Sequence, residues 1–511
     1  MKNSRRWLVV HFMLASSLIG CGNNSQPNSG AGNTFSEQVR DQTSTGFYQN
    51  AKIISELMQE VPLRDHPLSE QISPCDNLHA YSCQIVEQNF KMPQGLPVYY
   101  FSLGDAAARI GTFRQAAFLN ILRSTNPHPE IQMIRNYLNS CMNFSARLTE
   151  EKQVIADLKA TLNRLGSKND ILEILAKQTV SVDFSFLSFG TTTNYDDTGR
   201  TDATFDVGHI LELKNPQNYQ NAEMVKSYTE LMAKTFQFYG IGDFAGAAER
   251  FVALQKNLST RLPRKDESSR SSVRRFYVER DQLVREFPLF RFDLIFQSLP
   301  ADMKIQIPLL DVVKEFHQTI EALSIDDIKN IYLHTMLTDK IEFSLTTELA
   351  QLKKQFYQKY LNVPARKLDP KNQCAENLLE LFGRNVDYRS IDAVFPGFDK
   401  AKFDRLLEKI KNRQIQRVSE NQWISQTGRQ GALLKLRKMT FQSVRPTSAH
   451  DWGLLPVIAL TPDKYLKNMD ALQRVIFTEK TMKTLGRIAS KNLWLMSPLA
   501  VNAYYVPQTN Q

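Results

Sequence analysis

The sequence predicts a mainly α fold with one small β-hairpin and a short terminal strand. Three observations predict it. Apolar residues recur at helical spacing through most of the 511 residues, as in Leu309, Val312, Val313, Phe316 and Ile320. One segment alternates with period two: Val180, Val182, Phe184 and Phe186 are separated by polar Ser181, Asp183 and Ser185. Near the C-terminus Val501–Val506 is a β-prone aromatic run set between Pro498 and Pro507. At 42% hydrophobic residues the chain has material for more than one core, which argues against a disordered protein.

The first segment reads as an export signal. Lys2, Arg5 and Arg6 precede an apolar run from Trp7 to Ile19 that is too short to span a bilayer. Leu18-Ile19-Gly20-Cys21 resembles a bacterial lipobox, so Cys21 is the expected lipidation site, and one acylated cysteine replaces a membrane helix. Residues 1–20 are then a lipoprotein signal peptide and 21–46, rich in Gly, Asn, Ser and Gln, a flexible tether. The expected location is the bacterial cell envelope, lipid-anchored to the membrane. In a Gram-negative cell this means the outer membrane or the periplasmic face, because Gly22 follows the cysteine.

Helical stripes follow at Lys52–Gln59 (Ile54, Leu57, Met58) and Leu103–Arg123 (Ile110, Phe113, Ala117, Ile121). Another covers Thr149–Leu165 (Val154, Ile155, Leu158, Leu162, Leu165), after which Ser167 to Asp170 opens a helix in the manner of a capping box. The alternating segment is the first strand of a hairpin, Gly190–Arg200 its polar turn and Ala203–Val207 its second strand. Later stripes include Phe403, Leu406, Leu407 and Ile410, read as a core-facing row.

Charge excludes a nucleic-acid role. Without the signal the formal charge falls from +10 to +7, mild for this length. The densest basic run, Arg261, Arg264, Lys265, Arg270, Arg274 and Arg275, is interrupted by acids and serines and reads as a solvated loop.

Recognisable catalytic sites are missing. The histidines are His11, His66, His79, His128, His209, His317, His334 and His450; no two lie three or four apart, so no helix can offer two imidazoles to one zinc as H-E-x-x-H does. There is no G-x-S-x-G elbow, no phosphate loop and no carboxylate pair singled out by spacing. No catalytic residue and no metal ligand set is assigned.

Five motifs in a fixed order carry a resemblance: Pro74 to Cys83, Tyr137-Leu138-Asn139-Ser140-Cys141-Met142, Cys374, Trp423 to Leu436, and Trp494 to Tyr505 with Asn502-Ala503-Tyr504-Tyr505. Together they resemble the N-terminal, helical-lobe portion of the neprilysin-like and endothelin-converting-enzyme-like zinc metallopeptidases, over about residues 47–511. The sequence departs from the family in keeping only an echo of its next motif at Leu213–Tyr219, and in lacking the Asp of the Trp423 helix.

The resemblance implies a helical lobe over 47–445, followed at 446–511 by a connection to a catalytic lobe, ending in the N-A-Y-Y strand. It implies that Asn502 and Ala503 hold a peptide substrate's backbone, and that Cys141 pairs with Cys374. Cys75 and Cys83 are bridged in the family to the zinc-binding half. Here a local bridge, a link to a separate chain and two thiols all stay open. Zinc enters only if a separate catalytic half assembles. The expected function is therefore a metallopeptidase-like lipoprotein, inactive alone, that binds peptides or a partner. The alternatives are the N-terminal half of a split zinc metalloendopeptidase acting in proteolysis, and a structural envelope lipoprotein.

Overall fold

The computed structural model describes residues 68–89, 110, 114, 125, 128–183, 185–194, 196–213, 215–263, 276–341, 348–361, 370–394, 398–488, 490 and 492–506. Cys21, the tether, Lys52–Gln59, most of Leu103–Arg123 and Arg264–Arg275 lie outside the described residues.

The helices are α1 (Leu78–Asn89), α2 (Pro129–Met142), α3 (Phe144–Asn163), α4 (Lys168–Gln178), α5 (Ala222–Phe238), α6 (Phe244–Ser259), α7 (Arg280–Glu286) and α8 (Phe292–Ile295). They continue with α9 (Leu310–Ala322), α10 (Ile325–Ile341), α11 (Glu348–Leu361), α12 (Pro370–Val394), α13 (Lys400–Glu420), α14 (Gln426–Lys438) and α15 (Tyr465–Lys480). The fold is mainly α, and the described residues include three strands, β1 (Ser188–Thr193), β2 (Thr201–Asp206) and β3 (Ile305–Gln306), in that spatial order.

Local chemistry starts several of these helices. Pro129 at the first turn and the His128 ring, which accepts from the Glu130 N–H at 3.3 Å, open α2. Asn143 closes α2 and caps α3 through the Ala146 N–H. The Ser167 hydroxyl and the Asp170 carboxylate form a reciprocal capping box on α4. For α15, Lys464 offers no side-chain cap; Glu150 of α3 supplies it instead, accepting from the Leu466 and Lys467 N–H groups at 2.8 and 3.0 Å.

The hairpin is displaced from its predicted position. β1 begins at Ser188 and pairs antiparallel with β2, Phe189 opposite Phe205, while β2 runs parallel to β3. Val180–Asp183 bends instead of extending. Short polar side chains capture the backbone there: the Ser181 hydroxyl donates to the Gln178 carbonyl and accepts from the Asp183 N–H, and Thr179 and Ser185 bond at 2.6 Å. Such local bonds compete with a ladder. Asn194 then makes the turn, accepting from the N–H groups of Asp196 and Asp197.

Two large cores hold the molecule. The first joins the sheet to α4–α6, α9 and α10 and contains Phe205, Phe236, Val313, Phe316 and Ile320, each 0% exposed. The second lies between α2, α12 and α15, where Tyr137 and Phe382 meet edge to face at 5.4 Å. Burying side chains of this size contributes about 1.5–3 kcal/mol each. The Cys141–Cys374 disulfide bridges 233 positions inside this second core, with its Cα atoms 5.8 Å apart. Beside it the buried Arg147 guanidinium donates to the Cys141 carbonyl at 2.8 Å and lies 4.4 Å from the Tyr465 ring centre. The 446–511 section, expected as a connection, thus contributes α15 to the core.

Candidate functional site

The segment carrying Asn502 and Ala503 reaches its position through α12. Arg384 donates to the Leu495 carbonyl at 2.7 Å. The Asp387 carboxylate, 0% exposed, receives Arg114 through Nε at 3.1 Å and a second guanidinium nitrogen at 2.5 Å, and it also accepts from the Ser497 hydroxyl. Arg114 donates to Ser497 as well, at 2.7 Å. Burial pushes the Asp387 pKa up, and the Arg114 charge opposes that shift. Leu499, with Ile391 and Trp452, fills a third, small core, so the chain is fastened immediately before the N-A-Y-Y stretch.

That stretch corrects one sequence expectation. Val501–Val506 makes no ladder with another segment among the described residues. A β-strand exists only where a second backbone satisfies its polar groups. Instead the Asn502 N–H donates to the Ala500 carbonyl and the Asn502 Oδ1 accepts from the Ala503 N–H, both within the segment. Asn502 and Ala503 are exposed, Tyr504 and Tyr505 each 39% exposed, and Val506 is buried. The Tyr504 hydroxyl donates to Gln442 at 3.3 Å, and the Lys435 ammonium lies 5.2 Å from the Tyr505 ring centre.

Lys435 belongs to α14, which forms a helical hairpin with α13. Asp399 caps α13 and Ser425 caps α14, and no residue of either helix is buried. This corrects the expected core-facing row. Phe403 is 37%, Leu406 51% and Ile410 49% exposed, and Trp423, between the helices, is 86% exposed. Beyond its first turn and Asp404, the half-buried positions of α13 are Leu407, Lys411, Ile415 and Val418, and Lys411 reaches the Met439 carbonyl just past the end of α14. The pairing of the two helices therefore uses a different row from the one that period alone suggested.

The hairpin also holds charge that no single run of the sequence displays. Residues 400–438 contain eleven Lys and Arg against three acids, a net charge of +8 in a chain whose total is +10. The cations are spread over two helices rather than clustered in one run. Their concentration becomes visible only when the helices pair.

The described histidines each have a local partner. His79 meets Glu87, His128 caps α2, His209 meets the Ser185 carbonyl, His317 accepts from the Leu289 N–H, and His450 meets Asp451. His334, 2% exposed, bonds Glu212 at 2.5 Å. Burial raises the Glu212 pKa, but the charge and hydrogen bond of His334, helped by Lys353, hold it at about 2. Among the described residues no group of three His, Cys, Asp or Glu could hold a metal ion. No described helix is long and apolar enough to cross a membrane.

Cys75 is exposed and Cys83 half-buried, and in the structure the two are not bonded to each other. The backbone turns at Ser73 and enters α1 at Leu78. Helical rise, about 1.5 Å per residue, then carries Cys83 away from the turn that holds Cys75.

Comparison with known proteins accounts for this architecture. The chain is 20% identical over 488 residues to Neprilysin-1 of Trittame loki, covering 87% of this chain and 65% of that one. It is 22% identical to human Endothelin-converting enzyme-like 1 over 313 residues, 58% of this chain and 39% of that one. The chain thus spans less than two thirds of the length of these relatives. The crystal structure of the Mycobacterium tuberculosis zinc metalloprotease ZMP1 with an inhibitor superposes with a TM-score of 0.71 at 19% identity, covering 87% of this chain and 68% of that one. The structure of PepO from Lactobacillus rhamnosis gives 0.66 at 15% identity, covering 86% and 70%; at these identities both show a shared fold. The family model for the N-terminal region of Peptidase family M13 matches residues 74–446, and with most of the chain so matched, this protein belongs to Peptidase family M13.

Proposed function

We propose that this chain is a peptide-binding helical lobe of the neprilysin type, catalytically inactive by itself and attached to the cell envelope through a lipid on Cys21. The observation that carries the reading is the exposure of Asn502 and Ala503 on a segment pinned to α12 by Arg384 and Asp387. An extended peptide adds to such a segment by β-augmentation when the Asn502 and Ala503 N–H groups exchange their bonds within the segment for bonds to the peptide, and an Asn side chain both donates to and accepts from a peptide group. The inactivity follows from the histidine spacing, which supplies no paired zinc ligands. Saturable binding of an extended fluorescein-labelled peptide, lost in Asn502→Ala, tests it; chelator-sensitive cleavage by the purified chain would overturn it.

A second reading, in which the chain is one half of a zinc metalloendopeptidase completed by a complementary lobe, is favoured by a different observation. The exposed Phe403, Leu406, Ile410, Trp423 and Leu434 give the α13–α14 hairpin an apolar surface of the kind a second lobe covers. Translating the genomic DNA downstream of codon 511 checks this directly. A frame with a histidine pair at zinc spacing supports it, and its absence there and from every separate gene removes it. A lobe that binds neither peptide nor partner would be a structural envelope lipoprotein.

A further inference from the structure

We infer that the peptide taken at the Val501–Val506 segment is an acidic one, drawn along the α13–α14 hairpin by the positive field of its two helices. The inference rests on the peptide-binding reading above and names the substrate class.

Charge is distributed unevenly in this molecule. Residues 400–438 carry a net +8, leaving +2 for all the rest of the chain. The hairpin's three acids are already counted in that sum: Asp404 is engaged by Lys400 and Ser443, Glu408 by Lys411, and Glu420 accepts from Gln416. Arg405, Lys409, Arg437 and Lys438 stand exposed with no acid paired to them among the described residues. Like charges held this close on a solvated arm repel one another, and an anionic ligand relieves that repulsion.

The field borders the proposed peptide segment directly. Lys435 of α14 lies over the Tyr505 ring, Tyr504 bonds Gln442 just beyond α14, and Arg384 bonds the Leu495 carbonyl upstream. A peptide extended beside Asn502 and Ala503 therefore lies within reach of the hairpin. Successive side chains of an extended peptide point to opposite sides, so acids at every second position present one continuous anionic edge. The exposed Leu434 and Phe441, together with the Lys and Arg stems, add apolar contact beneath that edge.

The test uses the 511-residue chain and two fluorescein-labelled peptides that alternate Val with Glu or Val with Lys. Anisotropy is read at about 50 and about 300 mM NaCl, either side of the range in which screening becomes strong. The Glu peptide is expected to bind about tenfold or more tightly than the Lys peptide at low salt, with the ratio shrinking at high salt. The triple variant Arg405→Glu, Lys409→Glu, Lys438→Glu should abolish the preference while its far-ultraviolet circular dichroism and melting stay as in the parent. Asn502→Ala should weaken both peptides. Equal affinities, or a preference that survives the triple variant, would overturn the inference and leave the peptide-binding reading standing; binding of neither peptide would remove both.

Discussion

Arg114 grips Asp387 with two hydrogen bonds, at 3.1 and 2.5 Å, across 273 positions of sequence, and the same carboxylate accepts from the Ser497 hydroxyl. One carboxylate thus ties two distant parts of the chain to α12. Asp387→Ala leaves a largely buried guanidinium without its counter-charge and should cost about 3 kcal/mol. Urea unfolding measures the loss. The same variant should loosen the Asn502 segment and weaken peptide binding, which Asp387→Asn, still able to bond Ser497, restores in part.

The Glu212–His334 pair gives the fold an acid limit. The folded Glu212 pKa of about 2 lies below the value of about 4.3 expected in an unfolded chain. Its contribution is complete above the unfolded value and is lost as pH falls through the interval towards 2. Urea midpoints measured from pH 6 to pH 2 should drop across that window, and Glu212→Gln should flatten this part of the profile. An identical acid limb in the variant would assign the limit to other carboxylates.

The Cys141–Cys374 bridge closes a loop of 233 positions within the second core. Its reduction should destabilise the protein by up to about 5 kcal/mol on the chain-entropy account, read as the shift in urea midpoint with and without dithiothreitol. Under native, non-reducing conditions alkylation should label Cys75 readily and Cys83 more slowly, and leave Cys141 and Cys374 unlabelled. Mass spectrometry of the native protein counts them.

Two apolar rows of similar period should respond oppositely to truncation. Phe316→Ala, in a position 0% exposed on α9, should cost about 3–5 kcal/mol. Ile410→Ser, at 49% exposure on α13, should stay within about 0.5 kcal/mol of the parent. Thermal melts of the two variants distinguish them. A large loss from Ile410→Ser would mean that this face of α13 is covered.

Replacing Glu150 by Ala deprives the first turn of α15 of its acceptor for two N–H groups. A loss of about 1–2 kcal/mol is expected, as for other helix caps. Hydrogen exchange at Leu466 and Lys467 should accelerate while the amides of α9 remain protected.

The sequence by itself determined what depends on near neighbours along the chain. Helical period marked α3, α9 and α13, Ser167 and Asp170 announced the start of α4, and histidine spacing ruled out a paired zinc-ligand helix. The order of short motifs was enough to identify the family. Tertiary structure decided everything that requires a distant partner. The rows at Leu309–Ile320 and Phe403–Ile410 look alike in sequence, yet only the first is buried, because a stripe becomes core only where another element covers it. The alternation at Val180–Phe186 lost to hydroxyls that bonded the nearby backbone, and Val501–Val506 found no second strand among the described residues. Arg114, Arg384, Asp387 and Ser497 carried no local signal, and neither did the +8 of the hairpin, since their meaning comes from contacts between segments far apart in the chain.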